Sequence, residues 1–100
     1  MSGIAGIVAQ NGWQADRAEL QSMLDAIAHR GPDRTGVWTQ GQVGFAHAML
    51  ETTPESVMER QPARLSAPAL TITADARIDN RAELGDALGL LKDELKAMSD

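Results

Sequence analysis

Ser2, which follows the initiator methionine, is the residue of this chain best suited to nucleophilic chemistry. Cellular processing commonly removes a methionine that precedes a small residue, and this would leave Ser2 with a free α-amine. An N-terminal serine can act as a nucleophile that uses its own amine as the general base. An ordinary α-amine has a pKa of about 7.7–8.0, so a useful fraction is neutral near pH 7. The alternative interpretation of Ser2 is an ordinary serine at the start of an edge strand.

Other polar residues have structural interpretations that we prefer. His29 and His47 are the only histidines, and His47 falls within a strand pattern without an acidic neighbour, which is typical of a packed or capping side chain. We interpret Arg30 and Asp33 as residues that form the helix end and the turn after it. Four charged residues could form a carboxylate cluster for acid–base work, but we interpret them as a polar strand end that leads into a helix cap: Asp75, Arg77, Asp79 and Arg81.

Length and composition exclude several classes of function. The 100 residues, of which 43% are hydrophobic, suffice for one small globular domain or a piece of a larger one. The net charge is −5 and the nine basic residues form no run, which argues against a nucleic-acid partner. Cysteine is absent, which excludes disulfides and thiol catalysis in these residues. A glycine-rich phosphate loop is also absent, so we expect no cofactor to bind here.

The N-terminal segment lacks the features of a signal peptide, because no basic region precedes a long apolar one. The chain also has no apolar stretch of the roughly 18 residues that a membrane helix needs. We therefore expect a cytoplasmic protein without a membrane partner.

Hydrophobic periodicity predicts the order β, α, β, β, β, α, which indicates an α+β layered domain. Asp16 and Glu19 form a candidate capping box for the first helix, and Gly31 is predicted to end it in a left-handed conformation. Residues 51–68 are predicted to form a long surface loop. The predicted strands cover residues 3–8, 37–39, 43–50 and 69–74.

The last quarter of the chain predicts a second helix that Asn80 caps, with Glu83 three residues later, and that Gly89 ends or frays. Ser99 and Asp100 resemble the beginning of a third helix. A stripe of leucines follows the helical repeat, and its default interpretation is core packing, with contact to a partner as the alternative. This stripe consists of Leu84, Leu88, Leu91 and Leu95.

Four segments resemble, in order and at similar spacing, motifs of the class II glutamine amidotransferases, in particular those of the asparagine synthetase branch. The most specific is His-Arg-Gly-Pro-Asp at residues 29–33, which is followed by Gly36 and Trp38. Together the segments span the whole chain. They are residues 1–8, residues 29–33 with Gly36 and Trp38, residues 43–50 with Gln61 and Pro62, and residues 75–84.

This resemblance implies an N-terminal-nucleophile fold, in which two stacked antiparallel sheets lie between helical layers (αββα). Residues 1–100 would form about the first half of such an amidotransferase domain. In the family, this domain takes ammonia from glutamine and feeds a C-terminal synthetase domain, which uses ATP and Mg to join a carboxylate to an amine. The implied partners are the rest of the amidotransferase domain and that synthetase domain, and both lie outside these residues.

The chain departs from the family pattern at three places. Ser2 stands where the family has a cysteine nucleophile, Met49 where it has the arginine that holds the glutamine carboxylate, and Asp75-Ala76 where it has an Asn-Gly pair. A serine hydroxyl is almost never ionised near pH 7. Methionine offers no donor, so a charged hydrogen bond of about 1.5–3 kcal/mol is lost. An ionised Asp75 would repel an oxyanion that forms beside it. In an oxyanion site, the loss of one hydrogen-bond donor typically lowers the rate by about 10²–10³-fold.

Two explanations of Ser2 stay open: natural decay of the site, or an engineered Cys-to-Ser change in a true asparagine synthetase. Natural decay also accounts for Met49 and Asp75-Ala76. Relatives with eroded sites include β-lactam synthetases and lasso-peptide cyclases, in which an amine of the substrate itself attacks the activated carboxylate. Residues 52–56 and 74–81 resemble the lasso-cyclase type, which would add a precursor peptide as partner.

A different class of function also stays open, in which the chain is a free-standing binding or assembly module without chemistry. A single sheet with one helical layer leaves one apolar sheet face uncovered. Such a face, together with unpaired strand edges, favours a dimer through the open sheet.

Overall fold

The computed structural model describes residues 2–100 and shows mixed α and β structure with antiparallel sheets. The predicted removal of Met1 therefore concerns a residue outside the described range. The chain divides into two compact units, one formed by residues 2–50 with 60–75 and the other by residues 51–59 with 76–100. No helix in residues 2–100 is long and apolar enough to cross a membrane.

A three-stranded antiparallel sheet forms the centre of the first unit. Its strands are β1 (Gly3–Val8), β2 (Arg34–Gln40) and β3 (Val43–Met49), in the spatial order β1-β3-β2. Gly41, with a φ of 58°, makes the tight turn of the β2–β3 hairpin. The strand predicted at residues 37–39 is thus longer than expected, because its first residues carry no apolar alternation that would reveal them.

One face of this sheet is covered by α1 (Arg17–Ile27), as the helical periodicity predicts. Leu20 and Leu24 are fully buried against Ala46 and Ala48 of β3. The small alanines let the helix approach the sheet closely, and the core is aliphatic as expected from the composition. Asp16 begins the helix, and its carboxylate accepts a hydrogen bond from the Ala18 N–H at 2.9 Å.

The end of α1 corrects the prediction for Gly31. The chain continues as a 3₁₀ turn over Ala28–Arg30, and Gly31 has a φ of −143°, which is not left-handed. A Cβ atom at Gly31 would instead overlap the backbone carbonyl of Ala48. Glycine is required here because two backbones approach closely, and not because the residue adopts a left-handed φ.

The loop predicted at residues 51–68 is wrong in part, because it contains a 3₁₀ turn (Pro54–Met58) and the strand β4 (Ala63–Ser66). β4 pairs with β5 (Ala69–Ile72) in a second, two-stranded antiparallel sheet. Four residues beside a proline are too few to show a strand pattern. β5 also ends two residues before the predicted boundary.

The second unit contains that 3₁₀ turn and two short helices, α2 (Arg81–Ala87) and α3 (Lys92–Ala97). Gly89, with a φ of 73°, turns the chain after α2, which confirms the predicted helix end. Asn80 occupies the N-cap position, but its side chain makes no capping bond, so that detail is wrong. The helix α3 was not predicted from the sequence, and the helix expected to begin at Ser99 stays a prediction.

The leucine stripe is largely exposed within the second unit. Leu88 and Leu91 are 71% and 67% exposed, and Leu84 is 38% exposed. The core interpretation is therefore wrong for Leu88 and Leu91. Leu95 lies close to Gly85, whose missing side chain lets α2 and α3 pack together.

Candidate functional site

Ser2 lies where the beginning of β1 meets the end of β3. The antiparallel register pairs Gly3 with Ala48, so residue 2 meets residues 49 and 50. The Ser2 hydroxyl oxygen accepts a hydrogen bond from the Leu50 N–H at 3.0 Å, and the hydroxyl lies 3.9 Å from the sulfur of Met49. Only 9% of Ser2 is exposed. The candidate nucleophile is thus buried and hydrogen-bonded.

Met49 is the one other predicted site residue that the structure brings into contact with Ser2. It is 5% exposed and follows the buried Ala48 at the end of β3. A thioether is only a weak acceptor and carries no charge. The surroundings of the Ser2 hydroxyl therefore contain a soft apolar group at the position where the resemblance implies a cation.

Asp75 and Ala76, the other two predicted site residues, lie in an exposed segment after β5. The described residues show no hydrogen bond between Asp75 and Ser2. Asp75 belongs to the first compact unit and Ala76 to the second. The structure therefore joins Ser2 with Met49 but does not join either of them with Asp75.

His47 fixes the segment that leads to Asp75. Its Nε2 lies 3.0 Å from the carbonyl oxygen of Ala74, and because a carbonyl can only accept, Nε2 carries the proton. His47 is 2% exposed, which confirms its interpretation as a packed side chain. It acts on the candidate site by holding the backbone beside Asp75.

Gln61 also holds this segment. Its Oε1 accepts the Ala74 N–H at 2.7 Å and the Thr73 hydroxyl at 3.4 Å. Gln61 and Pro62 belong to the residues that carry the amidotransferase resemblance, but the sequence did not predict that Gln61 would contact Ala74. Gly36 makes this arrangement fit, since a Cβ atom there would overlap the Gln61 carbonyl.

A small open cleft of about 30 Å³ lies in the first unit, beside the end of β3. Arg34 reaches it because the register places Arg34 directly opposite Met49. Sequence reasoning had not selected Arg34 or Arg60, since neither belongs to a chemical motif. The cleft is lined by Arg34, Thr35, His47, Met49, Arg60 and Gln61.

Arg30 contacts the candidate site in addition to its predicted place at the helix end. Arg30 lies in the 3₁₀ turn, and its Nε donates to the Ser2 carbonyl oxygen at 3.4 Å. The Asp33 N–H donates to the Met49 carbonyl oxygen at 3.0 Å. Residues of the His-Arg-Gly-Pro-Asp motif therefore hold both Ser2 and Met49 in place, through backbone atoms of the site.

The charged residues of the alternative carboxylate cluster take part in separate contacts. Arg77 and Asp79 form an exposed ion pair at 2.7 Å, and Arg81 pairs with Asp100. The Ile78 N–H and then the Arg81 guanidinium lower the pKa of Asp100 by binding its charged form. Within residues 2–100, no group of three or more histidine, aspartate or glutamate side chains could hold a metal ion.

A family model described as a glutamine amidotransferase domain matches residues 1–100. The chain therefore belongs to the glutamine amidotransferase domain family, which confirms the amidotransferase resemblance at that level. The asparagine synthetase branch and the cyclase type stay predictions. No curated protein and no solved structure matches the chain.

Proposed function

We propose that this amidotransferase domain has lost glutamine hydrolysis and serves as a scaffold in an asparagine synthetase-like, ATP-dependent ligase. The observation that carries the proposal is the contact between Ser2 and Met49, which replaces a thiol beside a cation with a hydroxyl beside a thioether. Each replacement removes a group that glutamine hydrolysis needs.

The hydrogen bonds of Ser2 argue for a structural role of its hydroxyl. One lone pair of the oxygen is occupied by the Leu50 N–H, and the proton points to a weak sulfur acceptor rather than to a base. A nucleophilic serine needs a base that removes this proton as the bond to carbon forms. Even with a free α-amine as the base, the Ser2 proton would first have to leave its contact with the Met49 sulfur.

Substrate binding would also be weakened. The buried Met49 gives a glutamine carboxylate no charged partner, and hydrogen bonds to charged groups contribute about 1.5–3 kcal/mol each. Asp75 adds a negative charge to the segment where the resemblance implies oxyanion donors. These two changes and Ser2 all act against turnover, although their effects need not add.

The ligase context rests on the resemblance of residues 52–56 and 74–81 to lasso-cyclase-type members. In this proposal, the chain is part of an αββα N-terminal-nucleophile domain that is joined to a synthetase domain. That partner domain binds ATP and Mg and activates a carboxylate of a precursor peptide. An amine of the same peptide attacks the activated carboxylate, so the reaction needs no ammonia and the glutaminase site can decay.

The proposal is tested by ammonia release from L-glutamine and by ATP cleavage in the intact protein. We expect no ammonia above the blank in the wild type, in Ser2→Ala or in the matched control Ser66→Ala, which changes an exposed serine. We expect ATP cleavage without glutamine once the carboxylate substrate is present. Ammonia release that disappears only in Ser2→Ala would contradict the lost activity, and strict dependence of ATP cleavage on glutamine would contradict the scaffold role.

A true asparagine synthetase with an engineered Ser2 makes a different prediction. In that case Ser2→Cys alone would restore ammonia release, because every other part of the site would be functional. Under our proposal Ser2→Cys stays inactive, since Met49 and Asp75 are unchanged.

A stand-alone assembly module is the second candidate, and exposed apolar side chains of the first unit favour it. Leu65 and Leu70 are direct partners on one face of the β4–β5 hairpin and are 63% and 56% exposed. Ile4 and Val8 of β1 are exposed as well. Light scattering distinguishes the cases, because a concentration-dependent dimer supports the module and a monomer contradicts it.

A further inference from the structure

Asn11 and Gly12 form the tip of the turn that follows β1. Both residues have a left-handed backbone, with φ values of 56° and 80°. The Trp13 N–H closes the turn by donating to the Gln10 carbonyl oxygen at 3.0 Å. Asparagine followed by glycine is the pair that a turn with positive φ at both central residues favours. The fold therefore places a side-chain amide directly before a residue that has no side chain.

The surroundings of the turn leave this pair open to solvent. Asn11 and Gly12 are exposed, and apart from the neighbouring residues in the chain nothing lies within 4 Å of a Cβ atom built on Gly12. Within residues 2–100, neither the Asn11 side-chain amide nor the Gly12 N–H takes part in a hydrogen bond. No side-chain contact of the described fold therefore restrains the Asn11 amide.

Backbone hydrogen bonds hold the turn at its two ends. The Ala9 N–H donates to the Gln42 carbonyl oxygen at 2.7 Å, and the Ala15 N–H donates to the Gly41 carbonyl oxygen at 2.8 Å. Between these two anchors, the described chain holds the tip by the single bond that closes the turn. The tip can therefore change its conformation with the loss of one backbone hydrogen bond, while β1 and α1 stay in place.

We propose that Asn11 is a site of spontaneous deamidation, in which the folded chain exchanges the side-chain amide for a carboxylate. The Gly12 nitrogen loses its proton to a base in solution and attacks the Asn11 Cγ atom. The bond from Cγ to the amide nitrogen breaks, and that nitrogen takes up a proton from solvent and leaves as ammonia. A five-membered succinimide ring remains. Water then adds to either ring carbonyl and opens the ring to aspartate or isoaspartate.

The nature of Gly12 favours this step, because a Cβ atom on the attacking residue would crowd the approach to Cγ. The product carries one more negative charge than the chain of net charge −5, and isoaspartate also lengthens the main chain of the turn. The step involves neither Ser2 nor Met49, so it goes beyond the proposed function. Its ammonia is released once per chain and without glutamine, which distinguishes it from glutaminase turnover.

Asn80, the other asparagine of the chain, is an internal control. It is followed by Arg81, which carries a side chain on the residue that would attack. The Asn80 carbonyl oxygen also accepts the Leu84 N–H at 3.0 Å at the beginning of α2, which restrains its backbone. We therefore expect Asn11 to convert under conditions in which Asn80 persists.

The test is incubation of the folded, full chain in mildly alkaline buffer, followed by digestion at acidic pH and mass spectrometry. We expect the peptide that contains Asn11 to convert into two products of equal mass, which separate chromatographically as the aspartate and isoaspartate forms. Conversion should accelerate as the pH rises, because the Gly12 nitrogen must lose its proton. Isoelectric focusing should show a more acidic species that is absent in Asn11→Gln and present in the matched control Asn80→Gln.

A parallel incubation in guanidinium chloride tests the contribution of the fold. Asn11 that stays intact in the folded chain but converts in the denatured chain would overturn the proposal, because the fold would then protect the pair. Equal conversion of Asn11 and Asn80 in the folded chain would overturn it as well. Aspartate without isoaspartate would exclude the succinimide and also contradict the proposal. The wild-type chain decides these outcomes even if Asn11→Gln fails to fold.

Discussion

The Ser2 hydroxyl oxygen accepts a hydrogen bond from the Leu50 N–H at 3.0 Å, although 48 positions separate the two residues in the sequence. The contact follows from the β1–β3 register, which brings the beginning of one strand to the end of the other. It places the hydroxyl where it satisfies the backbone N–H that follows β3. The same contact gives Ser2 a structural role, because it links the beginning of β1 to the end of β3.

The buried contact of His47 predicts a stability effect. His47→Phe removes the donor to the Ala74 carbonyl, and an unsatisfied buried group costs about 1–3 kcal/mol. We expect a loss of this size in the free energy of unfolding, measured by urea denaturation. His29→Phe, at an exposed position, is the matched control and should change it by less than about 0.5 kcal/mol. Equal effects of the two variants would show that the Ala74 contact contributes nothing.

The close backbone approaches at two glycines predict a steric penalty. Gly31→Ala and Gly36→Ala each place a Cβ atom into a backbone carbonyl, and overpacking of this kind costs about 1–3 kcal/mol or more. Gly6→Ala is the control, because its Cβ would make ordinary contacts of 3.4 Å and longer. Thermal unfolding should show a lower midpoint for the first two variants than for the third. A midpoint for Gly31→Ala at or above that of Gly6→Ala would contradict the structure.

The Asp100 carboxylate predicts a pH-dependent contribution to stability. Its pKa lies below the ordinary value of 3.8, because the folded state binds its charged form through Ile78 and Arg81. A lowered folded pKa gives a contribution that is present above the unfolded pKa and is lost as the pH falls through the folded one. Asp100→Asn should therefore lower the unfolding midpoint at pH 6, with a difference that shrinks below about pH 4.

Asp86→Asn is the control for this experiment, since Asp86 lies exposed on α2. We expect Asp86→Asn to change the unfolding midpoint at pH 6 by less than Asp100→Asn does. A difference between Asp100→Asn and the wild type that grows as the pH falls would reverse the predicted sign.

The exposed leucines predict a contrast with those of the core. Leu24→Ala should lower the free energy of unfolding by about 2–5 kcal/mol, because Leu24 is fully buried between α1 and the sheet. Leu88→Ala should change it by less than about 0.5 kcal/mol, because 71% of Leu88 is exposed. Chemical denaturation of both variants measures the contrast. A large loss in Leu88→Ala would mean that the chain buries this leucine in solution.

The sequence predicts much of the first unit, because hydrophobic alternation and helix caps are local signals. The strand at Gly3–Val8, the helix after Asp16 and the return strand at Val43–Met49 all follow from such signals. Gly31 was misjudged because its requirement is a contact with Ala48, which lies 17 positions away and leaves no trace in local spacing.

The candidate site could be predicted only in part. The chemistry of an N-terminal serine selects Ser2, the resemblance selects Met49, and the strand register brings the two together. Arg34 and Arg60 were missed, and Gln61 was noted only as part of a motif, because their contacts arise from pairings between distant segments. Asp75 and Ala76 stay predictions, since the described contacts do not join them to Ser2.

The most direct test of the central claim is ammonia release from L-glutamine by the intact protein, with the wild type measured beside Ser2→Ala. The account predicts that both release ammonia at the rate of the protein-free blank. A wild-type rate above the blank that falls to it in Ser2→Ala would contradict the account, because Ser2 would then be a working nucleophile.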